Sequence, residues 1–386
     1  MILEACGLKP SPQVTPTPTK TPRAVPTTPS PQATVVTPTA SNTPRPTDTP
    51  TPSPQPAPTS ATPTRAPVPT PFPPGPHTKL GLFVGYNHPA LWGFVETKNL
   101  AVVKTVEYDR NFVAEIKSRS PDTIVVSRYT KLGQIDWEKA DPKALARAFV
   151  EKLLPIAADP KRRKNIDAWE SYNEPVVNSP NAMSRLAEFE AERTRLLAKE
   201  GIRSCIGNFG TGSPDLKLWP QFFPALHAIV ENHGYLGLHE YSAPYMWFGT
   251  GKHQLNPSAD EGDEGWLTLR YRKVYRQHLI PAGLKVPLLI TETGIDGAVR
   301  NRPGPPGKGW RDFADFWKKE GYVRFSAGGF YVEQLAWYDA ELMQDDYVKG
   351  AAVYALAAPP GWESFEIIGE CANILRQYVS VHPRRK

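Results

Sequence analysis

From about residue 79 onward, short apolar runs alternate along the chain with longer stretches in which apolar residues recur at a helical period. Such alternation is typical of repeated strand–helix units built around a parallel sheet. The apolar runs predict eight strands, at residues 80–86, 101–108, 123–129, 168–173, 203–210, 235–241, 287–292 and 351–357. The amphipathic stretches predict helices between them, among others at 142–156, 182–199, 222–232, 267–279 and 309–320.

The clearest helical stretch is 182–199, where Leu186, Phe189, Thr194 and Leu197 fall on one face and charged residues on the others. Gly201 follows directly and predicts the end of the helix, because glycine readily adopts the left-handed conformation of a C-cap. Eight strands with intervening helices predict the α/β class, as a (β/α)8 TIM barrel.

The first 76 residues have a different composition. They hold 23 of the 43 prolines, and no aromatic residue precedes Phe72. Such a segment buries too little apolar surface to offset the entropy of ordering, so we expect a disordered Pro/Thr-rich linker at 1–76. Its repeated Thr/Ser-Pro pattern predicts a stiff, extended spacer. The remaining residues, 77–386, suit one barrel domain.

The residues around Cys6 (Leu-Glu-Ala-Cys-Gly) resemble the signal at which the cysteine of a lipoprotein is lipidated. Together with the spacer, this resemblance favours an exported protein, extracellular or attached to the cell envelope, with a possible lipid anchor through Cys6. An incidental cysteine and a tail that only solubilises the protein are the alternatives. No run of 18 apolar residues is present, so no transmembrane segment is predicted.

Charge and cysteine content exclude other classes. The formal net charge is +6, half of it from the first 76 residues, and acids and bases are interspersed in the remainder. A nucleic-acid partner is not expected, because the densest basic run, 161–164, is predicted to be a solvated loop. Cys205 and Cys371 lie in apolar segments and are predicted to be buried free thiols.

Polar side chains gather at the predicted strand ends, which is where a barrel of this kind carries its catalytic groups. They include a glutamate after the fourth strand, Glu174, and one at the end of the seventh, Glu292. A pair of carboxyl groups facing each other across the barrel mouth can cleave a glycosidic bond, one as nucleophile and one as acid and then base.

The segment 169–175, Trp-Glu-Ser-Tyr-Asn-Glu-Pro, resembles the Asn-Glu-Pro motif of the retaining glycoside hydrolases of clan A, and 289–294, Leu-Ile-Thr-Glu-Thr-Gly, is similar to their nucleophile segment. The resemblance spans about residues 79–375, and both family 39-like and family 5-like members fit it. It implies that Glu174 is the acid/base and Glu292 the nucleophile. It further implies that Asn173 binds the sugar 2-hydroxyl and that Tyr241 donates a hydrogen bond to the nucleophile.

Other residues near the barrel mouth are expected to bind substrate. Trp362 matches the position of a tryptophan that stacks on a sugar ring in this clan. His88 and His239 lie at strand ends and are assigned to substrate binding. Arg128 either lowers the pKa of the nucleophile or forms a structural ion pair with Glu170. Lys104 is predicted to point inward with an acidic partner and is not assigned a catalytic role.

No metal and no cofactor are expected. The His-x-x-x-His spacing of a helical metal site is absent, and no Gly-x-Gly-x-x-Gly follows the first strand. The sequence thus predicts an exported retaining glycoside hydrolase acting on a carbohydrate, with a β-linked poly- or oligosaccharide favoured. A catalytically silent barrel that binds glycan, and a transglycosylase that uses the same residues, remain open alternatives.

Overall fold

The structure, a computed structural model, describes residues 74–253 and 262–382. Most of the predicted linker at 1–76 lies outside these residues, and so do Cys6 and the predictions of export and lipidation. No helix in the two described ranges combines the length and the apolar character that crossing a bilayer requires. Cys205 and Cys371 are buried free thiols, as predicted.

Eight parallel strands form one sheet: β1 Leu80–Val84, β2 Val102–Thr105, β3 Ile124–Arg128, β4 Ala168–Glu170, β5 Cys205–Phe209, β6 Tyr235–Ser242, β7 Leu288–Ile295 and β8 Val348–Leu356. Hydrogen bonds join them in the order β4-β3-β2-β1-β8-β7-β6-β5. The two ends of this order meet through a parallel bridge between Trp169 and Ser204, where the Trp169 amide donates to the Arg203 carbonyl at 3.0 Å. The sheet is therefore a nearly closed barrel, and the predicted fold class is confirmed.

Helices surround the strands in the described ranges: α1 Ala90–Val95, α2 Arg110–Arg119, α3 Pro142–Ala157, α4 Pro160–Asn165, α5 Pro180–Lys199, α6 Trp219–Glu231, α7 Arg270–Val274, α8 Ala314–Lys319, α9 Ala327–Leu342 and α10 Glu370–Val381. Several begin at a side chain that accepts a hydrogen bond from the first turn, namely Asp109 before α2, Asp141 before α3, Ser179 before α5 and Ser326 before α9. The apolar face predicted for α5 is buried.

The basic run 161–164 was predicted to be a loop, and this prediction is wrong, because these residues form most of the short helix α4. Asp159 accepts hydrogen bonds from the amides of Lys161 and Arg162, and Pro160 occupies the first helical position, where its missing N–H costs nothing. Local capping therefore outweighed the repulsion among the basic side chains.

Apolar residues fill one layer between strands and helices and a second layer inside the barrel. The inner layer includes Phe83, Val102, Val126, Ala168, Cys205, Leu289 and Ala352. Because side chains alternate along a strand, Lys104, Arg128 and Glu170 share the inward direction of the residues two positions before them. Their charged groups thus lie above the apolar layer, toward the carboxyl ends of the strands.

Candidate active site

Glu292 lies on β7, and donors from three other strands surround its carboxylate. Lys104 Nζ on β2 is 2.8 Å from Oε1, and an Arg128 guanidinium nitrogen on β3 is 3.2 Å from the same oxygen. The Tyr241 hydroxyl on β6 donates to Oε2 at 3.0 Å. Glu292 is only 7% exposed, so these groups rather than water balance its charge.

The electrostatic environment favours the ionised form of Glu292. Burial by itself raises the pKa of a carboxyl group, but the electrostatic effects of His239, Lys104 and Arg128 outweigh it and hold the pKa of Glu292 well below its usual range. Arg128 responds in the opposite sense, since the carboxylates of Glu292 and Glu170 outweigh burial and raise the pKa of the guanidinium. Glu292 is therefore a buried anion with its charge compensated by the protein.

Glu174 follows β4 and occupies the outer side of the site. Its backbone is left-handed, with φ of 46°, and its amide donates to the Asn208 carbonyl at 3.0 Å, which fixes the direction of the side chain. Gly210 makes room for it, because a Cβ there would lie 3.1 Å from Cδ of Glu174. The Glu174 side chain is 44% exposed, so that of the two glutamates it is the one open to solvent.

His239, on β6, lies between the two glutamates. Its Nδ1 is 2.8 Å from Oε1 of Glu174 and 3.6 Å from Oε2 of Glu292. One ligand atom from each of the three residues lies within 4.8 Å of the other two. A carboxylate oxygen of Glu174 therefore approaches one of Glu292 to within that distance, as the placement on β4 and β7 predicted.

Arg128 and Asn173 link the two sides of the site. Arg128 donates a hydrogen bond to Oδ1 of Asn173, and the backbone carbonyl of Asn173 accepts one from the side chain of Gln134 at 2.9 Å. Arg128 is also 3.8 Å from Glu170. Arg128 thus contacts both carboxylates that the sequence analysis considered for it, Glu292, whose pKa it would lower, and Glu170, its structural ion-pair partner.

Aromatic side chains on β8 and in the segment after it, Tyr354 and Trp362, lie on the β8 side of the site. The ring of Tyr354 lies 6.3 Å from that of Tyr241 and 6.0 Å from that of Trp362, which is 45% exposed. Burial and the charge of Glu292 raise the pKa of Tyr354, so its hydroxyl stays protonated. Trp362 thus presents part of its ring to solvent beside Tyr354.

The described contacts of His88 are local. Its Nδ1 accepts a hydrogen bond from the Ala90 amide at 3.2 Å, and its ring lies 6.1 Å from the ring of Tyr86. The structure brings Glu174, Glu292, Asn173, Arg128, His239 and Tyr241 together through direct contacts, with Trp362 linked through Tyr354. It places His88 in the loop after β1, where substrate binding stays a prediction.

Sequence reasoning missed two participants. Lys104 was expected to point inward and pair with an acid, but its contact with Glu292, in addition to one at 3.1 Å with Glu170, was not foreseen. The alternation of side chains along a strand predicts whether a residue points inward. It does not predict which residues of other strands lie at the same height in the barrel, so it could not identify Glu292 as a partner of Lys104. Tyr354 carried a weak signal, since it stands in the last strand three residues before its predicted end.

Glu174, His239 and Glu292 also form a group whose donor atoms are close enough to hold a metal ion. Two cationic groups already contact Oε1 of Glu292, and a divalent cation at the same carboxylate would meet their repulsion. The donor set is therefore better matched to a proton and a sugar than to a resident metal.

No protein-family profile matches the chain, and no curated protein sequence matches it. Among solved structures, it is similar to a family 39 glycoside hydrolase from Bacteroides cellulosilyticus WH2, with 14% identity and a TM-score of 0.46 over 78% of this chain and 62% of that one. It is also similar to a GH128 (subgroup II) endo-β-1,3-glucanase from Pseudomonas viridiflava, with 14% identity and a TM-score of 0.41 over 81% and 100%.

A third similar structure is a GH2 β-galacturonidase from Eisenbergiella tayi, with 13% identity and a TM-score of 0.49 over 81% of this chain and 52% of that one. This chain therefore spans less than two thirds of the Bacteroides and Eisenbergiella chains. All three are glycoside hydrolases, the class that the segments around Glu174 and Glu292 also resemble.

Proposed function

We propose that the protein is a retaining glycoside hydrolase. The observation that carries the proposal is the close approach, within 4.8 Å, of carboxylate oxygens from Glu174 and Glu292. Carboxyl groups about 5–5.5 Å apart suit direct attack on the anomeric carbon, whereas inverting enzymes need about 6.5–9.5 Å to admit a water molecule. The approach of the two carboxylates supports the shorter of these separations and therefore a retaining reaction.

The different environments of the two glutamates support different roles for them. Glu292 is buried and kept ionised by cations, which is what a nucleophile requires. In the first step an oxygen of Glu292 forms a bond to the anomeric carbon while the bond from that carbon to the leaving oxygen breaks. The electron pair stays on the leaving oxygen, which takes a proton from Glu174.

In the second step a water molecule attacks the same carbon and the bond to Glu292 breaks, returning its electron pair to the carboxylate. Glu174 takes the proton of the water and is ready for the next cycle. The exposure of Glu174 suits both tasks, because the leaving group departs and the water enters from the solvent side. The loss of the charge on Glu292 in the intermediate favours an ionised Glu174, which is then the base.

The substrate is a β-linked oligo- or polysaccharide under this proposal, supported by the exposed ring of Trp362 as a stacking surface for sugar CH groups. Asn173, held by Arg128, is positioned to bind a hydroxyl group beside the reacting carbon. The Pro/Thr-rich segment before the barrel supports action outside the cell, where such a spacer would hold the domain away from a surface.

The proposal is tested by product release from a panel of polysaccharides and aryl β-glycosides, with the full chain and with Glu174→Ala and Glu292→Ala. We expect both variants to lose activity by at least about a thousand-fold, since each removes a group that acts in the transition state. Azide added to Glu292→Ala should restore turnover of an aryl glycoside and give the α-glycosyl azide, because azide then replaces the missing nucleophile.

Glu188→Gln is the matched control, because Glu188 is exposed on α5 and pairs only with Lys143 among its described contacts. Its activity should equal that of the wild type. Glycan binding that is unchanged in both active-site variants, with no product from any substrate, would instead identify a sugar-binding barrel. Products longer than the substrate at high acceptor concentration would identify a transglycosylase.

A further inference from the structure

Four charged side chains form a cluster inside the barrel, and one of them is a glutamate of the proposed catalytic pair: Lys104, Arg128, Glu170 and Glu292. Glu170 and Lys104 are completely buried, and neither is in a position to touch a sugar. The proposed reaction uses Glu292 and assigns no role to Glu170. Keeping a buried carboxylate such as that of Glu170 ionised costs free energy, so we looked for a function that would account for it.

Within the cluster, each of the two cations contacts both carboxylates. Lys104 Nζ lies 2.8 Å from Oε1 of Glu292 and 3.1 Å from Oε2 of Glu170. Arg128 reaches the same two oxygens, at 3.2 Å and 3.8 Å. Two positive and two negative charges therefore cancel in the free enzyme, and neither carboxylate has a cation of its own.

Among the other groups that face the cluster, a thiol and two hydroxyls carry no charge, whereas His239 contacts Glu174 and also helps to keep Glu292 ionised. Burial raises the pKa of the Cys205 thiol and of the Tyr241 and Tyr354 hydroxyls, which stay neutral. The ring of Phe83 contacts Lys104 from β1. On the solvent side Glu292 faces His239, Glu174 and, at the end of β7, Asp296, whose pKa burial also raises.

Formation of a glycosyl ester on Glu292 removes one of the two negative charges. The intermediate then contains two buried cations and only Glu170 to compensate them. The departure of the sugar restores the carboxylate and the balance. The charge of Glu170 thus acts on both steps, since it repels the Glu292 carboxylate in the free enzyme and partly neutralises the cations in the intermediate.

We infer that Glu170, by sharing Lys104 and Arg128 with Glu292, is a positioning residue that sets the rate of ester hydrolysis relative to the rate of ester formation. This inference rests on the proposed retaining reaction. In the transition state of hydrolysis, negative charge returns to Glu292. Cations beside it accelerate that step, and a second carboxylate beside it retards that step.

Opposite substitutions in the cluster therefore have opposite effects. Glu170→Gln keeps the shape of the side chain and removes the repelling charge, so the trapped ester should hydrolyse about ten-fold faster and form about ten-fold more slowly, the size of one pKa unit of charge interaction. Lys104→Met removes a cation of similar length, so the ester should hydrolyse about ten-fold more slowly. The double variant regains the charge balance and should return toward the wild-type rate.

The experiment uses the full chain and a 2-deoxy-2-fluoro aryl glycoside of the sugar that the wild type cleaves fastest. Labelled enzyme is freed of excess reagent, and its return to unlabelled mass is followed by intact-protein mass spectrometry. The acid limb of the kcat/KM profile is a second readout. It should move to higher pH in Lys104→Met and to lower pH in Glu170→Gln.

A merely structural role for the cluster would slow both half-reactions in both single variants and worsen further in the double variant. That result, or unchanged hydrolysis of the label, would overturn the inference and leave the retaining reaction in place. Activity of the wild type without any covalent label on Glu292 would overturn the retaining reaction, and the inference with it.

Discussion

Glu292 carries its charge where burial alone would have removed it. Three donors, from Lys104, Arg128 and Tyr241, converge on two carboxylate oxygens, and the sugar must approach without displacing them. At the scale of single residues, reactivity therefore depends on how strongly these donors hold the negative charge. With too few donors the Glu292 carboxyl group would be protonated, and with too many its carboxylate would be a poor nucleophile.

Tyr241→Phe tests this balance, because it removes the hydroxyl 3.0 Å from Oε2 of Glu292 and leaves the ring. Under the proposed reaction, we expect kcat to fall about 10- to 100-fold where hydrolysis of the glycosyl ester limits turnover, because the variant lacks a hydrogen bond that stabilises the charge returning to Glu292. The pKa of Glu292 is lowered in the enzyme, so activity is lost as pH falls through it. Loss of a donor raises that pKa, and the acid limb of the kcat/KM profile should move to higher pH.

Tyr347→Phe is the matched control, since its hydroxyl donates to Asp345 outside the barrel interior. It should change neither kcat nor the pH profile measured with the same aryl glycoside. An unchanged acid limb in Tyr241→Phe would show that Lys104 and Arg128 alone set the ionisation of Glu292.

At the scale of elements, β7 carries Glu292 and then leaves the regular strand conformation. Gly294 has a φ of 149°, and a Cβ on it would lie 2.6 Å from the Tyr331 hydroxyl on α9. A side chain here would be strained by its backbone and would also collide with a buried helix. The glycine thus lets the strand pass close to α9 two residues beyond Glu292.

Gly294→Ala should lower the free energy of unfolding by about 2–4 kcal/mol and reduce kcat, because the strand that positions Glu292 must shift. Urea unfolding and initial rates measure the two effects. Gly321→Ala is the control, since Gly321 also has a positive φ but nothing lies near its added Cβ, and it should cost about 1 kcal/mol without changing kcat. Equal losses in the two variants would show that backbone strain alone matters at Gly294.

The strands could be predicted from the sequence because each is an apolar run between polar stretches. Their ends were less readable, since β4 spans Ala168–Glu170 and is shorter than the predicted 168–173. The polar residues Asn173 and Glu174 follow the strand with a backbone set by turn geometry, including the left-handed φ of Glu174. A hydropathy pattern contains no information on such a turn.

The location of the site could be predicted once the barrel was, because the carboxyl ends of all eight parallel strands meet at the same end of the barrel. Strand ends and the family resemblance together predicted a set of residues that the structure brings into contact, although their roles stay predictions: Glu174, Glu292, Asn173, His239, Tyr241 and Arg128. The sharing of Lys104 between Glu170 and Glu292 was not predictable. It depends on the stagger of three strands, which one-residue shifts in register would destroy and which no single strand encodes.

At the scale of the whole molecule, Asp339 ties the beginning of the barrel to its last two helices. Its carboxylate on α9 accepts hydrogen bonds from the Lys79 amide before β1, at 2.7 Å, and from the Tyr378 hydroxyl on α10, at 2.8 Å. It is completely buried, and burial raises its pKa to about 6. His382 lies beyond Tyr378, with the two rings stacked at 3.9 Å.

Because the folded state holds the proton of Asp339 more tightly than the unfolded state, this group stabilises the fold at low pH. Its contribution is complete below pH 3.8, the ordinary value for aspartate, and is lost as pH rises through about 6. We expect the free energy of unfolding of the wild type to fall relative to Asp339→Asn by about 3 kcal/mol across this window. Denaturant titrations at several pH values measure the difference, and parallel curves for the two proteins would contradict it.

The ends of the sheet order, β4 and β5, meet through the bridge of Trp169 and Ser204, and just beyond β4 the Glu174 amide donates to the Asn208 carbonyl on β5. Glu174 belongs to the chain before this seam and Glu292 to the chain after it, so each half of the barrel supplies one carboxyl group. A cut at Glu200 or Gly201, between α5 and β5, would divide the protein into two fragments that each keep one of the two glutamates. Turnover in a mixture of the two fragments would then report their reassembly, which makes the seam a natural place for a split enzyme.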